Sequence, residues 1–415
     1  MSSQEKIRRV FISDIHMGDA RSINQSGMYH NYCWFYDQSP SPIGNRPEML
    51  ATFLSQYCIG DESLSEVVIL GDLFDAWICP SELDPTDPAH PMPPPGQQFI
   101  NIADSTQNKS VIAALRKLAS QNRLKYLPGN HDMLADTATI GSIFPGIVCI
   151  DSPGGHPVYC VDGIWAEHGH WYGLFNAPYP VTSGTGLGAS ILPLGYFISR
   201  MAAESAWKTG SQFSLSDIVK EWLERIFSAV PAAKAGKLHD HSAIDSILGR
   251  LLDTMISDHA TPQGALMNGV SGIPDWVSWE AVKARYASIY SQWSSTHANN
   301  VGPIEAIRCD GKDLWPAASL VSYNNKDARI IIFGHTHICV FPSNLKPDNP
   351  GMVTLPGEAS VYVNSGAWCY DAKVCTFVET VFDPATRGQS VQLRKWDQQA
   401  DGKYAASDVG SMGYV

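Results

Sequence analysis

A chain of 415 residues with 44% apolar and 17% charged residues is long enough to bury a sizeable core, and its composition argues against extended disorder. The formal charge of −12 disfavours nucleic acid as a partner, because nonspecific binding to a polyanion needs a basic surface. Nine cysteines at irregular spacing, without a CxxC pair, indicate neither a zinc ribbon nor a complete disulfide framework, and no apolar run reaches bilayer length. With no apolar leader at the start, the expectation is a soluble, cytoplasmic protein with peripheral membrane contact left open.

Arg8 to Ser13 reads as a first strand that ends in Asp14-Ile15-His16. The loop 20–46 is rich in Ser, Asn, Gly and aromatics; Tyr29, His30, Tyr32, Trp34 and Tyr36 either line a pocket or pack the loop down. Pro47 to Tyr57 is a helix opened by proline. Val67 to Leu70 is a short buried strand, after which Gly71 turns the chain and delivers Asp72, with Asp75 three residues on. Residues 80–98 are proline-rich and predict neither helix nor central strand; Thr106 to Ser120 is an amphipathic helix with Val111, Leu115 and Leu118 on one face. Arg123 to Leu127 is a strand ending in Pro128-Gly129-Asn130-His131-Asp132.

Gly146 to Ile150, Val158 to Val161 and Ile164 to Glu167 read as short strands, the last followed by His168-Gly169-His170. His168 is the expected site residue of this block, with His170 behind it or toward substrate. Residues 172–327 change to helical patterns at 191–207, 215–230, 241–258 and 277–293, and so predict a mainly helical insertion. Its apolar stretch Ile191 to Met201 is expected to pack inside that insertion, since no Lys and Arg cluster flanks it for an anionic membrane. The β pattern returns with Arg329 to Phe333, which leads into Gly334-His335-Thr336-His337. Ser360 to Asn364, Val374 to Phe382 and Ser390 to Leu393 are further strands, and the tail after Trp396 is expected to be loosely held.

Ligand-type side chains at the carboxyl ends of several strands lie where open α/β sheets gather ligands. In Asp14-x-His16 and His335-x-His337, a spacing of two on extended backbone points both side chains to one side, which suits convergent metal ligands. Asp14-x-His16, Gly71-Asp72, Gly129-Asn130-His131-Asp132, His168 and Gly334-His335-Thr336-His337 together resemble the five ordered blocks of the calcineurin-like metallophosphoesterase superfamily. The resemblance covers residues 7–170 and 328–395. It implies an α/β fold, a four-layer α-β-β-α sandwich of mixed sheets. The core would be 1–171 and 328–415, interrupted by the helical insertion, or cap, at 172–327.

It further implies two divalent or transition metal ions. One would be held by Asp14, His16, Asp72 and His337; the other by Asp72, Asn130, His168 and His335, with Asp72 bridging. Manganese leads, and Fe, Zn, Ni or Co suit the same oxygen and imidazole set. Purple members of the superfamily use a tyrosine shortly after the bridging aspartate; here Leu73-Phe74-Asp75 follows, so no iron-tyrosinate colour is expected.

The implied activity is hydrolysis of a phosphodiester or pyrophosphate in a small or lipid-linked molecule, with metal-bridging hydroxide attacking phosphorus. His131 is the implied proton donor to the leaving group, and Asp75 orients it. A phosphomonoesterase is the alternative, with Arg21, Arg46 or a residue of the cap as candidate extra cation; a noncatalytic scaffold of the same fold is the alternative of another class. Ser13 to His16 and Ile69 to Trp77 are similar to the UDP-2,3-diacylglucosamine diphosphatases of lipid A synthesis. Those enzymes are shorter and usually carry Glu at the position of Asp75. The proline loop and the insertion therefore mark a related hydrolase with its own specificity.

Overall fold

The computed structural model describes residues 5–19, 46–77, 95–150, 156–178, 192–197, 264–267, 274–277, 286–296, 301–311, 314–339, 360–369 and 375–414, with 199, 245, 246, 249, 283 and 284. The strands are β1 (Ile7–Ile12), β2 (Leu64–Leu70), β3 (Leu124–Leu127), β4 (Val148–Cys149), β5 (Tyr159–Val161), β6 (Ile164–Ala166), β7 (Gly264–Met267), β8 (Pro274–Val277), β9 (Ile330–Phe333), β10 (Val361–Asn364), β11 (Cys375–Phe382), β12 (Gln389–Gln398) and β13 (Tyr404–Tyr414). The helices are α1 (Arg46–Thr52), which runs on as a π-helix over Phe53–Ile59, α2 (Pro95–Asp104), α3 (Lys109–Ser120), α4 (Thr137–Ile143), α5 (Ile289–Thr296), α6 (Pro303–Gly311) and α7 (Trp315–Asn324).

The chain is a mixed α/β fold. A seven-stranded sheet has the order β13-β12-β11-β1-β2-β3-β4, and a four-stranded sheet the order β10-β9-β6-β5. Strands β1 to β4 are parallel to one another, as are β6, β9 and β10, so helices fill the crossovers between them. Strand alternation sorts the apolar side chains into three cores. Phe11, Val68 and Leu70 meet Ile164, Ile330, Ile332 and Val363 between the two sheets. Val10, Ile12, Val67 and Ile69 face the other way, onto Leu50, Phe53, Ile102, Val111 and Leu115 of the helices. Ile331, Phe333 and Tyr362 face outward from the smaller sheet, onto Ile307, Ala317 and Val321 of α6 and α7.

Several expectations need correction. The tail after Trp396 is ordered: β12 continues to Gln398, and β13 pairs with it antiparallel over its whole length, with Trp396 stacked on Tyr404. An edge strand with one wet face is polar in sequence and passes for a loop. The proline-rich segment yields a helix at its end, because Pro95 occupies the first helical position, where a missing N–H costs nothing. Within the insertion, β7 and β8 form an antiparallel hairpin, and β8 takes the first residue of the helix expected from 277. Helices α6 and α7 were not expected; Ala317, Ala318 and Val321 of α7 are buried among further apolar residues, so the helix carries little polar contrast to read.

The described part of the Ile191 to Met201 stretch is packed inside: Leu192, Leu194, Tyr196 and Phe197 join the outer core of the smaller sheet. The helical pattern at 215–230 and the aromatic loop with Arg21 lie outside the described residues. Arg46 is buried at the start of α1, its guanidinium on the Cys375 sulfur. No helix among the described residues is long and apolar enough to cross a membrane.

Candidate metal centre

Five strand ends meet along one rim of the two sheets. The peptide N–H groups of Ile15 and His16 donate to the Asp72 carbonyl at 2.9 Å each, which ties the turns after β1 and β2. His335 donates its peptide N–H to Asp14 Oδ2 at 2.9 Å, and the His168 imidazole uses Nδ1 on the Leu70 carbonyl at 2.7 Å; both links cross between the sheets. Asp132 is the clamp of this rim. Its carboxylate accepts from the backbone N–H groups of Gly129 (2.6 Å), Leu73 (2.8 Å), Asp72 (3.2 Å) and Phe74 (3.3 Å), so one side chain holds two turns. Burial and the neighbouring Asp72 push the Asp132 carboxyl up to about 6, against the pull of these donors. The backbones approach so closely that a Cβ on Gly129 would lie 2.1 Å from Asp72 Oδ1.

The paired spacing converges by a different route from the one expected. Asp14, His16, Asp72, His335 and His337 all have left-handed backbone, with φ between 51° and 68°, so none continues its strand. Each such residue costs about 1–3 kcal/mol and persists only where its surroundings overdetermine it. The strain re-aims five ligand-type side chains inward. Asp14, His16 and Asp72 bring one ligand atom each to within 4.8 Å of one another; so do Asp72, His168 and His335, and so do His16, His337 and Cys369. The first two groups share Asp72.

All nine residues singled out in the sequence lie in this cluster. His168 Nε2 is 3.2 Å from Asp72 Oδ2 and 3.0 Å from Asn130 Oδ1; His337 Nε2 is 3.3 Å from Asp14 Oδ1 and 3.0 Å from His16 Nε2. Burial opposes ionisation of Asp72, yet the His168, His131 and His16 imidazoles hold it well below the usual carboxylate range. In turn, Asp72 and Asp14 outweigh burial at His168 and push it up to about 9. Among the described residues the counter-charges facing Asp14 and Asp72 are imidazoles, not lysine or arginine.

His131 and Asp75 form a second tier. Asp75 accepts from His131 Nδ1 at 2.8 Å and from His16 Nδ1 at 3.0 Å, so one carboxylate fixes two imidazoles, of which the sequence suggested only the first. Burial disfavours a charged His131, but Asp75 and Asp72 more than offset it and raise its affinity for a proton. Trp77 stacks on the His131 ring at 4.0 Å between centroids and 22° between planes.

Among the described residues, two histidines keep buried ring nitrogens with no hydrogen-bond partner. His335 Nε2 is buried and has no hydrogen-bond partner among the described residues, and burial together with His168 pushes the imidazole down to about 3. A buried imidazole nitrogen with no hydrogen-bond partner, on a residue whose ligand atom lies close to those of Asp72 and His168, fits a cation. His170 is also buried with neither ring nitrogen partnered, 5.3 Å from His168 between centroids, but does not join the groups that bring ligand atoms together.

No protein-family model matches the chain, and no curated protein matches it. The residues themselves carry the reading. Trp77 ends the stretch Ile69 to Trp77 that carried a resemblance, but its place on His131 was not legible there; Cys369, with its sulfur 3.5 Å from His337 Nδ1, and Asn176 and Asp310 beyond Asn130 had no signal in the sequence that set them apart. Asp132 was visible as part of the Asn-His-Asp run, but its clamping of two turns was not.

Proposed function

We infer that this chain is a metal-dependent phosphoester hydrolase of the calcineurin-like metallophosphoesterase type, acting on a phosphodiester or pyrophosphate in a small or lipid-linked molecule. The observation that carries the reading is the pair of ligand groups sharing Asp72, with a histidine–aspartate pair, His131 and Asp75, beside them. On this reading the two sheets and their flanking helices are the four-layer α-β-β-α sandwich, and α6 and α7 of the insertion complete its outer layer. Asp14, His16, Asp72 and His337 would hold one cation, and Asp72, Asn130, His168 and His335 the other.

Two divalent or transition cations, manganese first among Mn, Fe, Zn, Ni and Co, supply Lewis-acid stabilisation of phosphoryl charge and a lowered pKa for water. The chain's own residues do the rest. His131, charged through Asp75 and held flat by Trp77, presents Nε2 as the proton donor for the leaving oxygen. Asp75 also orients His16, so it couples the donor to one ligand. A monoester's extra negative charge calls for an extra cation, and the core blocks of the sequence carry no obvious arginine for it, so the diester reading leads.

The test is turnover of bis(p-nitrophenyl) phosphate against p-nitrophenyl phosphate by chelator-stripped protein reloaded with Mn²⁺, with Asp72→Ala as control. Diester turnover that exceeds monoester turnover and vanishes in the variant is expected. Faster monoester turnover would overturn the diester assignment; no turnover by a protein that also binds no cation would overturn the reading as a whole.

A further inference from the structure

Asn130 lies at the end of a directional chain that starts in the insertion. Its Nδ2 donates to Asn176 Oδ1 at 3.2 Å, and Asn176 Nδ2 donates to Asp310 Oδ1 at 2.9 Å. The other oxygen, Asp310 Oδ2, accepts from the Phe175 peptide N–H at 2.8 Å. Packing here is tight: a Cβ on Gly173 would lie 2.1 Å from Asp310 Oδ1, and Leu174 donates its N–H to the Ala306 carbonyl of α6 at 3.2 Å.

An amide has one end that donates and one that accepts, and an isolated asparagine can flip between them. An ionised carboxylate only accepts. Asp310 therefore compels Asn176 to turn its NH₂ inward and its oxygen toward Asn130. That oxygen compels Asn130 to turn its own NH₂ away from the rim, which leaves Asn130 Oδ1 on the side of His168 Nε2, 3.0 Å away. A cation can use only the oxygen.

We propose that Asn176 and Asp310, both contributed by the insertion, are positioning residues that set the amide of Asn130 oxygen-first toward the cation shared by Asp72, Asn130, His168 and His335. The insertion thereby takes part in building the metal centre. This inference rests on the metal reading above and adds to it a requirement that the core alone does not meet. Burial pushes the Asp310 carboxyl up to about 7 against the Phe175, Asn176 and Leu174 N–H groups, so the measurement belongs at pH 8, where the carboxylate form prevails.

The experiment is calorimetric titration of Mn²⁺ into the chelator-stripped full chain at pH 8, for the wild type, Asp310→Asn, Asn176→Ala, and the combined exchange Asn176→Asp with Asp310→Asn. The wild type is expected to bind two cations. Each single variant is expected to weaken one binding event by about 10–100-fold and leave the other unchanged, the range typical of residues that orient a ligand. The exchange moves the acceptor-only group one step along the chain, keeps the donor of Asn130 satisfied, and is expected to recover most of the lost affinity. Wild-type affinity for both cations in the single variants would overturn the proposal, as would an exchange that folds with wild-type thermal stability yet recovers nothing. A wild type that binds no cation would overturn the metal reading itself, and this inference with it; failure confined to the variants leaves that reading intact.

Discussion

Two buried ionic clusters sit between the same pair of sheets and are built on opposite terms. Toward the amino ends of the strands, Arg9 pairs with Glu66 at 2.7 Å and Asp162 at 2.5 Å, Lys125 reaches Glu66 at 2.6 Å, and the Tyr159 hydroxyl donates to Glu66. Fixed cations answer fixed anions there, and the left-handed residues, Asp162 and Gly163, form the two-residue hairpin turn that calls for that backbone. At the carboxyl ends, Asp14, Asp72 and Asp75 face imidazoles whose charge depends on a proton, five residues are left-handed outside any hairpin, and His335 Nε2 has no partner among the described residues. The first cluster answers its charges internally, with Arg9 Nη1 its one buried atom left without a partner among the described residues, and serves stability. The second, on the function proposed above, would be completed by the added cations, and such a concentration of perturbed titratable groups is what marks a candidate site.

The contrast yields graded tests. The largest effect is expected from Asp72→Ala: phosphodiester turnover should fall to that of a protein-free blank while far-ultraviolet circular dichroism stays that of the wild type. An unchanged rate would remove the second cluster from catalysis altogether. Next, His131→Asn should lower kcat by about 10²–10⁴-fold with the bound metal content unchanged by elemental analysis, since a lost proton donor typically costs that much. Loss of metal in that variant would make His131 a ligand instead.

Arg9→Met turns the test to the first cluster. It removes one partner from the buried Glu66 carboxylate, which keeps Lys125 and the Tyr159 hydroxyl, and leaves Asp162 to solvent in its exposed turn, so unfolding in denaturant should lose about 1–3 kcal/mol, with the turnover of the folded fraction unchanged. A drop in turnover instead would show that the two clusters are coupled. The smallest effect is a pH shift. If His131 is the proton donor proposed above, its charged form is the active one and activity is lost as pH rises through its pKa; Asp75 raises that pKa, and Asp75→Asn should move the alkaline limb of kcat to lower pH by roughly 1–3 units. An unmoved limb would assign it to another group.

The sequence by itself determined the strands that carry the site and the residues at their ends. Val67 to Leu70, Arg8 to Ile12 and Ile330 to Phe333 are apolar runs closed by a carboxylate, an imidazole or a glycine, and that signal is local. It also determined the α/β class, because helical and extended periods alternate through the first 170 residues. What only the tertiary structure decided depends on contacts far apart in the chain. The polar edge strand β13 is ordered by pairing with β12, and α7 is recognisable only once it covers Ile331 and Phe333. His168 is separated from His170 by the Leu70 carbonyl, which takes His168 Nδ1 and turns Nε2 toward Asp72 from 98 positions away. Asn176, in a turn, and Asp310, on α6, are two ordinary polar residues until folding stacks them behind Asn130. A side chain's identity is local, but the direction it points, and the proton or metal that direction admits, is set by neighbours that the order of residues does not bring together.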